Sequence, residues 1–159
     1  MIDSREFRRA LGRFATGITV VTMRSGAETY GITVNAFMSV SLKPPLIAVC
    51  LDKRAQAHET LRESDRFGVS ILRDEQAALS DHFAGRPGPR VEAPFEDFHG
   101  HPVVRGALAH LVCRSYDVAD AGDHSLFLGE VEALASFDGR PLLYLEGRYA
   151  HVRCMELTE

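Results

Sequence analysis

The sequence predicts a mainly β protein, a closed antiparallel barrel with helices around it. Three observations carry this. Strand-like runs rich in β-branched residues recur along the whole chain, roughly eight strands against three helices. They do not alternate regularly with helices, as a doubly wound parallel sheet requires. No G-x-G-x-x-G fingerprint follows the first strand, which argues against a dinucleotide fold of that kind. The 159 residues fit one domain spanning 1–159. The 13 glycines suit a fold with many tight turns.

Residues 4–15 read as a helix. Ser4 is the expected N-cap, and Phe7, Ala10, Leu11 and Phe14 form one apolar stripe. Arg5, Arg8, Arg9 and Arg13 lie opposite as a solvated face. From Gly17 the pattern turns to strand over residues 17–24, with a turn at Ser25-Gly26 and a return strand over 29–34. Residues 37–42 and 46–51 follow as strands on either side of Lys43-Pro44-Pro45. The second, LIAVCL, is apolar on both faces and is expected to be central and buried. A helix is expected over 55–63, a strand over 67–72 and a helix over 74–83. Residues 84–101 hold three prolines and three glycines and read as one long loop, a kind of segment that is often functional. Strands are then expected over 107–118, 125–134, 141–146 and 149–153, the first two joined by a turn at Gly122-Asp123.

The formal net charge of −4 disfavours a nucleic-acid backbone as the main partner. No apolar run reaches the ~18 residues of a membrane span. The charged N-terminus carries no secretory core. The three cysteines, Cys50, Cys113 and Cys154, are far apart and lack a C-x-x-C. That fits neither a disulfide framework nor a zinc site. Cys50 and Cys113 sit in apolar runs and read as small buried hydrophobes, and free thiols point to a reducing cytoplasm. His99-x-His101 lacks a third ligand at a suitable spacing, so no metal is expected.

Three clusters could carry chemistry. Thr33-Val34-Asn35-Ala36-Phe37, with Ser39-Val40-Ser41, joins two strands with small residues that leave backbone accessible to a flat heteroaromatic ring. A β-bulge with its turn hydrogen bonds fits the same residues. Asp52-Lys53-Arg54-Ala55-Gln56 runs from a strand end into a helix start, where free N–H groups and positive charge suit a phosphate. A polar loop with an Asp cap is the alternative. Asp123-His124-Ser125 puts a histidine after a tight turn, where it could meet a carboxamide or phosphate or act as an acid, with Asp123 orienting it. An exposed hairpin histidine without a role is the alternative.

Taken in order, these clusters resemble the flavin reductase-like domain family, the short-chain reductases of two-component flavin-dependent monooxygenases. The likeness runs through FATGITVVT, GITVNAFMSVSLKPPLIAVCLDK, FGVSIL, GALAHLVCR, AGDHSLFLGEV and PLLYLEGRYAHV, nearly the whole chain. The resemblance implies a split β-barrel of the FMN-binding, Greek-key antiparallel type. It also implies a homodimer, in which the N-terminal helix and exposed strands supply the apolar surface. It further implies an NAD(P)H:flavin oxidoreductase that reduces FMN or FAD by hydride transfer, with NADH or NADPH as co-substrate, and supplies reduced flavin to a separate oxygenase.

On this sequence the resemblance places Thr33, Val34, Asn35 and Ala36 along the isoalloxazine, with Ser39 and Val40 beside its reactive edge. Cys50 and Leu51 would bring backbone to the ring or ribityl chain, and Lys53, Arg54, Ala55 and Gln56 would face the phosphate. Phe83 and Ala84 would close over the flavin, and His124, the one expected catalytic residue, would meet the nicotinamide nucleotide with Tyr149 nearby. Ala55 departs from the family pattern, where many members carry Ser or Thr, so phosphate contact there falls to backbone N–H groups or Gln56. Two rival readings remain at this point. One is a flavoprotein with tightly bound FMN that reduces a quinone, nitro compound, ferric iron or corrinoid. The other is a non-catalytic flavin- or haem-binding barrel.

Overall fold

The computed structural model describes residues 2–89 and 91–153, and Cys154 lies outside them. Strands dominate. They are β1 (Thr16–Gly17), β2 (Thr19–Ser25), β3 (Glu28–Val34), β4 (Phe37–Leu42), β5 (Pro45–Asp52), β6 (Arg66–Ile71), β7 (Phe95–Phe98), β8 (His101–Val104), β9 (Ala109–Ala121), β10 (His124–Ser136), β11 (Leu142–Leu145) and β12 (Arg148–His151). Three α-helices interrupt them: α1 (Ser4–Leu11), α2 (Gln56–Glu63) and α3 (Ala77–Phe83).

Seven strands form one antiparallel sheet in the order β3-β2-β6-β9-β10-β5-β4. Among the described residues its hydrogen-bonded ladder has two edges, β3 and β4, and does not close on itself. The peptide linking these edges is pinned to β5, because Cys50 N–H donates to the carbonyl of Ala36 at 3.0 Å. Small sheets β1-β11-β12 and β7-β8 complete the fold.

Neighbouring residues on a strand face opposite ways. Val21 and Met23 of β2 therefore enter one core with Val49, Leu51, Phe67, Val69, Cys113 and Phe127. Val20 enters a second core with Ile18, Leu72, Val104, Ala107 and Leu142. This accounts for the β-branched run in β2, which is buried on both faces. The LIAVCL run is buried as well, though β5 lies next to the edge strand β4 rather than at the sheet's centre. Close approaches in the core favour glycine, as at Gly129 and Gly31. A Cβ on Gly129 would collide with the Phe67 ring, and one on Gly31 would lie 2.7 Å from the Phe83 ring.

Several sequence expectations need correction. The first helix ends at Leu11, not residue 15, because the Gly12 carbonyl accepts from Glu146 N–H at 2.9 Å and the next bonds tighten to an i+3 spacing. Its cap is Asp3, whose carboxylate accepts from the N–H groups of Arg5 and Glu6 at 2.9 and 3.0 Å, and Ser4 is the first helical residue. None of the α1 residues is buried, so its apolar stripe does not pack into the body of the chain.

The long loop is shorter than expected. Residues 95–98 form β7, which turns back into β8 through His99 and Gly100, both at positive φ. FEDF reads apolar-polar-polar-apolar, so it carries no period-2 alternation to signal a strand. The helix expected from residue 74 opens with a 3-10 turn over Asp74–Gln76 before α3 begins. A bulge does fall in the small-residue cluster, at Val40 between the Ser39 and Ser41 pairings. Cys113 is buried, and burial pushes its thiol up to about 12. Cys50 is only half-buried, unlike the expectation for it. Among the described residues no helix is long and apolar enough to cross a membrane.

Candidate functional site

An apolar groove of about 510 Å³ lies between α1 and the β4-β5 edge. Asn35, Ala36, Phe37 and Met38 form one wall, Ala48, Val49, Cys50 and Leu126 the floor, and Phe7, Leu11 and Phe14 the opposite wall. That volume lies within the usual range for a small-molecule site. The floor is continuous sheet, because β5 pairs with both β4 and β10 there, with Leu126 opposite Cys50.

Two smaller hollows adjoin it. One, of about 160 Å³, is lined by Thr33, Asn35, Ser80, Ala84, Arg86, Tyr144 and Tyr149 among others. The other, of about 330 Å³, is lined by residues 14–19 with Asn35, Phe37 and Ile71. Asn35 borders all three, and its Nδ2 donates to Thr16 Oγ1 at 3.3 Å.

β5 carries the groove toward a polar turn. At a strand rise of about 3.3 Å per residue, Asp52 lies about 7 Å beyond Cys50. The turn is tightly built. Arg54 N–H donates to Asp52 Oδ1 at 2.8 Å, Ala55 N–H donates to the Asp52 carbonyl at 2.9 Å, and Lys53 N–H donates to the Asp123 carbonyl at 2.9 Å. The Arg54 guanidinium also grips the Asp52 carboxylate, at 2.7 and 3.1 Å, and holds it far below the usual carboxylate range. Ala55 caps α2 and offers no side-chain hydrogen bond. His58 N–H donates to the Ala55 carbonyl at 2.9 Å, which leaves the Gln56 and Ala57 N–H groups without a capping side chain.

His124 stands beside this turn, paired in register with Asp52. Its Nδ1–H donates to Asp123 Oδ1 at 2.7 Å, which leaves the Nε2 side to an incoming group. The same bond holds the Asp123 carboxyl below its ordinary range. Tyr149, across the small hollow, donates to Asp81 Oδ1 at 2.6 Å and lies 3.0 Å from Ser80 Oγ. Burial, then the Asp81 bond, push its phenol upward.

The structure thus brings Asn35, Ala36 and Cys50 to the large groove and Thr33, Ala84 and Tyr149 to the small hollow. Lys53, Arg54, Ala55 and Gln56 gather at the turn with His124. Val34 and Leu51 are core side chains, so only their peptide groups can face a ligand. Ser39 and Val40 are exposed on β4, outside the groove lining. Phe83 packs on Gly31 and 5.4 Å from the Phe95 ring, in the second core.

Sequence reasoning passed over Arg8, Tyr144, Glu146 and Gly147 at the large groove and Ser80 and Arg86 at the small hollow. Arg86 is held by Asp81 at 2.9 Å and Tyr144 OH at 3.3 Å. Its one sequence signal was its place in the Gly/Pro-rich segment. Among the described residues no group of three or more His, Cys, Asp or Glu side chains could hold a metal.

Comparison with known proteins gives a consistent picture. The model of the flavin reductase like domain matches residues 11–153. The chain is 42% identical over 153 residues to an NADH-dependent flavin reductase from Rhodococcus, covering 94% of this chain and 85% of that one. It is 43% identical over 144 residues to the reductase component of 4-hydroxyphenylacetate 3-monooxygenase from Thermus thermophilus, covering 90% and 93%. Among solved structures, flavin reductase PheA2 in its native state superposes with a TM-score of 0.93 at 40% identity, over 96% of this chain and all of that one. An NADH:FAD oxidoreductase from Streptomyces globisporus, in complex with NAD and FAD fragments, superposes with a TM-score of 0.87 at 34% identity, over 100% and 99%.

Proposed function

The chain belongs to the flavin reductase-like domain family, and from that premise we propose that it is an NADH-dependent flavin reductase that supplies reduced FMN or FAD to a separate monooxygenase. The observation that carries this reading is the apolar groove lined by Asn35, Ala36 and Cys50, with the turn after β5 and the start of α2, which has no side-chain cap, following two residues beyond Cys50 along the chain. A flat ring and a phosphate tail need those two surfaces, joined in that order.

Bound flavin would accept hydride from the nicotinamide, and the chemistry is the cofactor's own. The protein's share is orientation. Peptide groups at residues 33–36 meet the polar edge of the ring, with backbone at Cys50 and Leu51 beside it, while Ala48, Leu126, Phe7 and Phe14 exclude water from its face. Gln56 and the first α2 N–H groups, with Lys53 and Arg54, hold the phosphate. His124 presents Nε2 to the nucleotide, fixed by its Nδ1–H bond to Asp123. Tyr149, Ala84 and Arg86 line the hollow that would take the rest of that nucleotide. Phe83 serves from behind, by holding α3 against β3.

The reading extends to assembly. Phe7, Leu11, Phe14, Met38, Val40 and Leu42 are all exposed, and the first four line the groove. A second copy placed there would cover them and complete a split β-barrel dimer of Greek-key antiparallel type, with Ser39 and Val40 at the flavin's edge. The free thiols Cys50 and Cys113 suit a cytoplasmic setting.

Purified protein should oxidise NADH at a rate that rises and saturates with added FMN or FAD. A rate indifferent to flavin, from a preparation holding none, would overturn the reading. Flavin that survives dialysis and passes electrons to another acceptor would instead favour a tightly bound cofactor.

A further inference from the structure

Behind the phosphate turn lies a polar network that ligand contact alone does not require. Ser125 is fully buried, and its Oγ lies 2.9 Å from His58 Nε2, 2.9 Å from Asp120 Oδ1 and 3.2 Å from Arg62 Nη2. Proton counting fixes its direction. The serine has one hydrogen, given to the carboxylate, so His58 must carry its proton on Nε2 and donate, as Arg62 does. Asp120 Oδ1 then accepts from Ser125, accepts from Arg62 at 3.0 Å, and pairs with Lys53 Nζ at 3.5 Å. The Ser125 bond, then Arg62, then Lys53 hold this carboxyl below its ordinary range, so its charge persists at neutral pH.

We propose that Asp120 sets how firmly the turn at residues 52–56 grips an anionic ligand, by holding Lys53 partly neutralised until a phosphate competes for it. The inference rests on the reading of that turn as the phosphate site. Of the three aspartates near the turn, Asp120 alone suits this task. Asp52 is built into the turn through Arg54, and Asp123 is engaged with His124. The Lys53 contact is the longest in the network and both partners are solvent-accessible, so it is the one that yields. Ser125 and Arg62 keep the carboxylate in place when Lys53 leaves. An enzyme that must release its reduced product gains turnover from such a brake, since a fully cationic turn would retain the flavin phosphate.

Fluorescence titration of FMN and riboflavin, which differ by the phosphate, tests this. Asp120→Asn keeps an acceptor for Ser125 and Arg62 while removing the charge. It should tighten FMN binding by about three- to tenfold and leave riboflavin unchanged, with the gain shrinking at high salt. Adding Lys53→Gln should abolish the gain. Ser125→Ala disturbs the network but keeps the charge, and should not raise the FMN-to-riboflavin ratio. Wild-type protein that binds both ligands equally overturns the phosphate site and this proposal together. A wild-type preference for FMN that Asp120→Asn leaves unchanged or lowers overturns the role of Asp120 alone. A gain that survives Lys53→Gln removes Lys53 from it.

Discussion

Gly129 leaves no room for a methyl group. Its missing Cβ would meet the Phe67 ring and sit 2.9 Å from the Cys113 Cβ, inside the core. Gly129→Ala should cost about 1–3 kcal/mol by overpacking, read as a lower denaturant midpoint at unchanged slope. Two buried imidazoles add a pH dependence. Burial holds His101 and His110 below the ordinary histidine value, opposed by the bond to the Thr22 carbonyl and by Glu96 respectively. His110 fits the neutral form, because its Nδ1 is buried with no hydrogen-bond partner among the described residues, and a proton there would be stranded. Below about pH 6.5 the unfolded chain therefore binds more protons than the folded one. Stability should be full above that pH and fall as pH drops through the folded-state values. Melting curves from pH 7.5 to 5 should show a declining Tm, and His110→Phe should reduce that decline.

Tyr149 ties one element to another, since its hydroxyl on β12 reaches Asp81 and Ser80 of α3 across the small hollow. Tyr149→Phe should cost about 1–2 kcal/mol of stability. It should also raise KM for NADH more than it raises KM for FMN, which steady-state kinetics would separate. At this scale the sequence was a good guide where a pattern was long. The β2 and β5 runs, the β9-β10 pair and α2 all lie close to where periodicity put them. It failed where tertiary bonding overrode a local signal. Helix α1 stops early because Glu146 takes the Gly12 carbonyl, and β7 exists because β8 gives it a partner. The turn after β5 was legible because Asp52, Lys53 and Arg54 are contiguous. Tyr144, Arg86 and Glu146 were not, because only folding brings them beside Asn35.

On the scale of the whole molecule, α1 and β4 leave Phe7, Leu11 and Met38, which line the groove, exposed to water in a lone chain. Sedimentation at micromolar concentration should give a dimer. Leu11→Glu should shift it toward monomer and weaken flavin binding several-fold, because the same side chain lines the groove. A monomeric wild type with full flavin affinity would remove the dimer from the account.

Asn35 is a corner shared by three hollows, and rooms with a common corner are not filled independently. A molecule seated in one narrows the doorway of the next. Traffic through the site should therefore be ordered: oxidised nucleotide left behind after turnover should obstruct the next flavin, and excess flavin should obstruct the nucleotide. The kinetic trace of that crowding would be rates that fall again at high substrate, an effect that a smaller side chain at Asn35 should relieve.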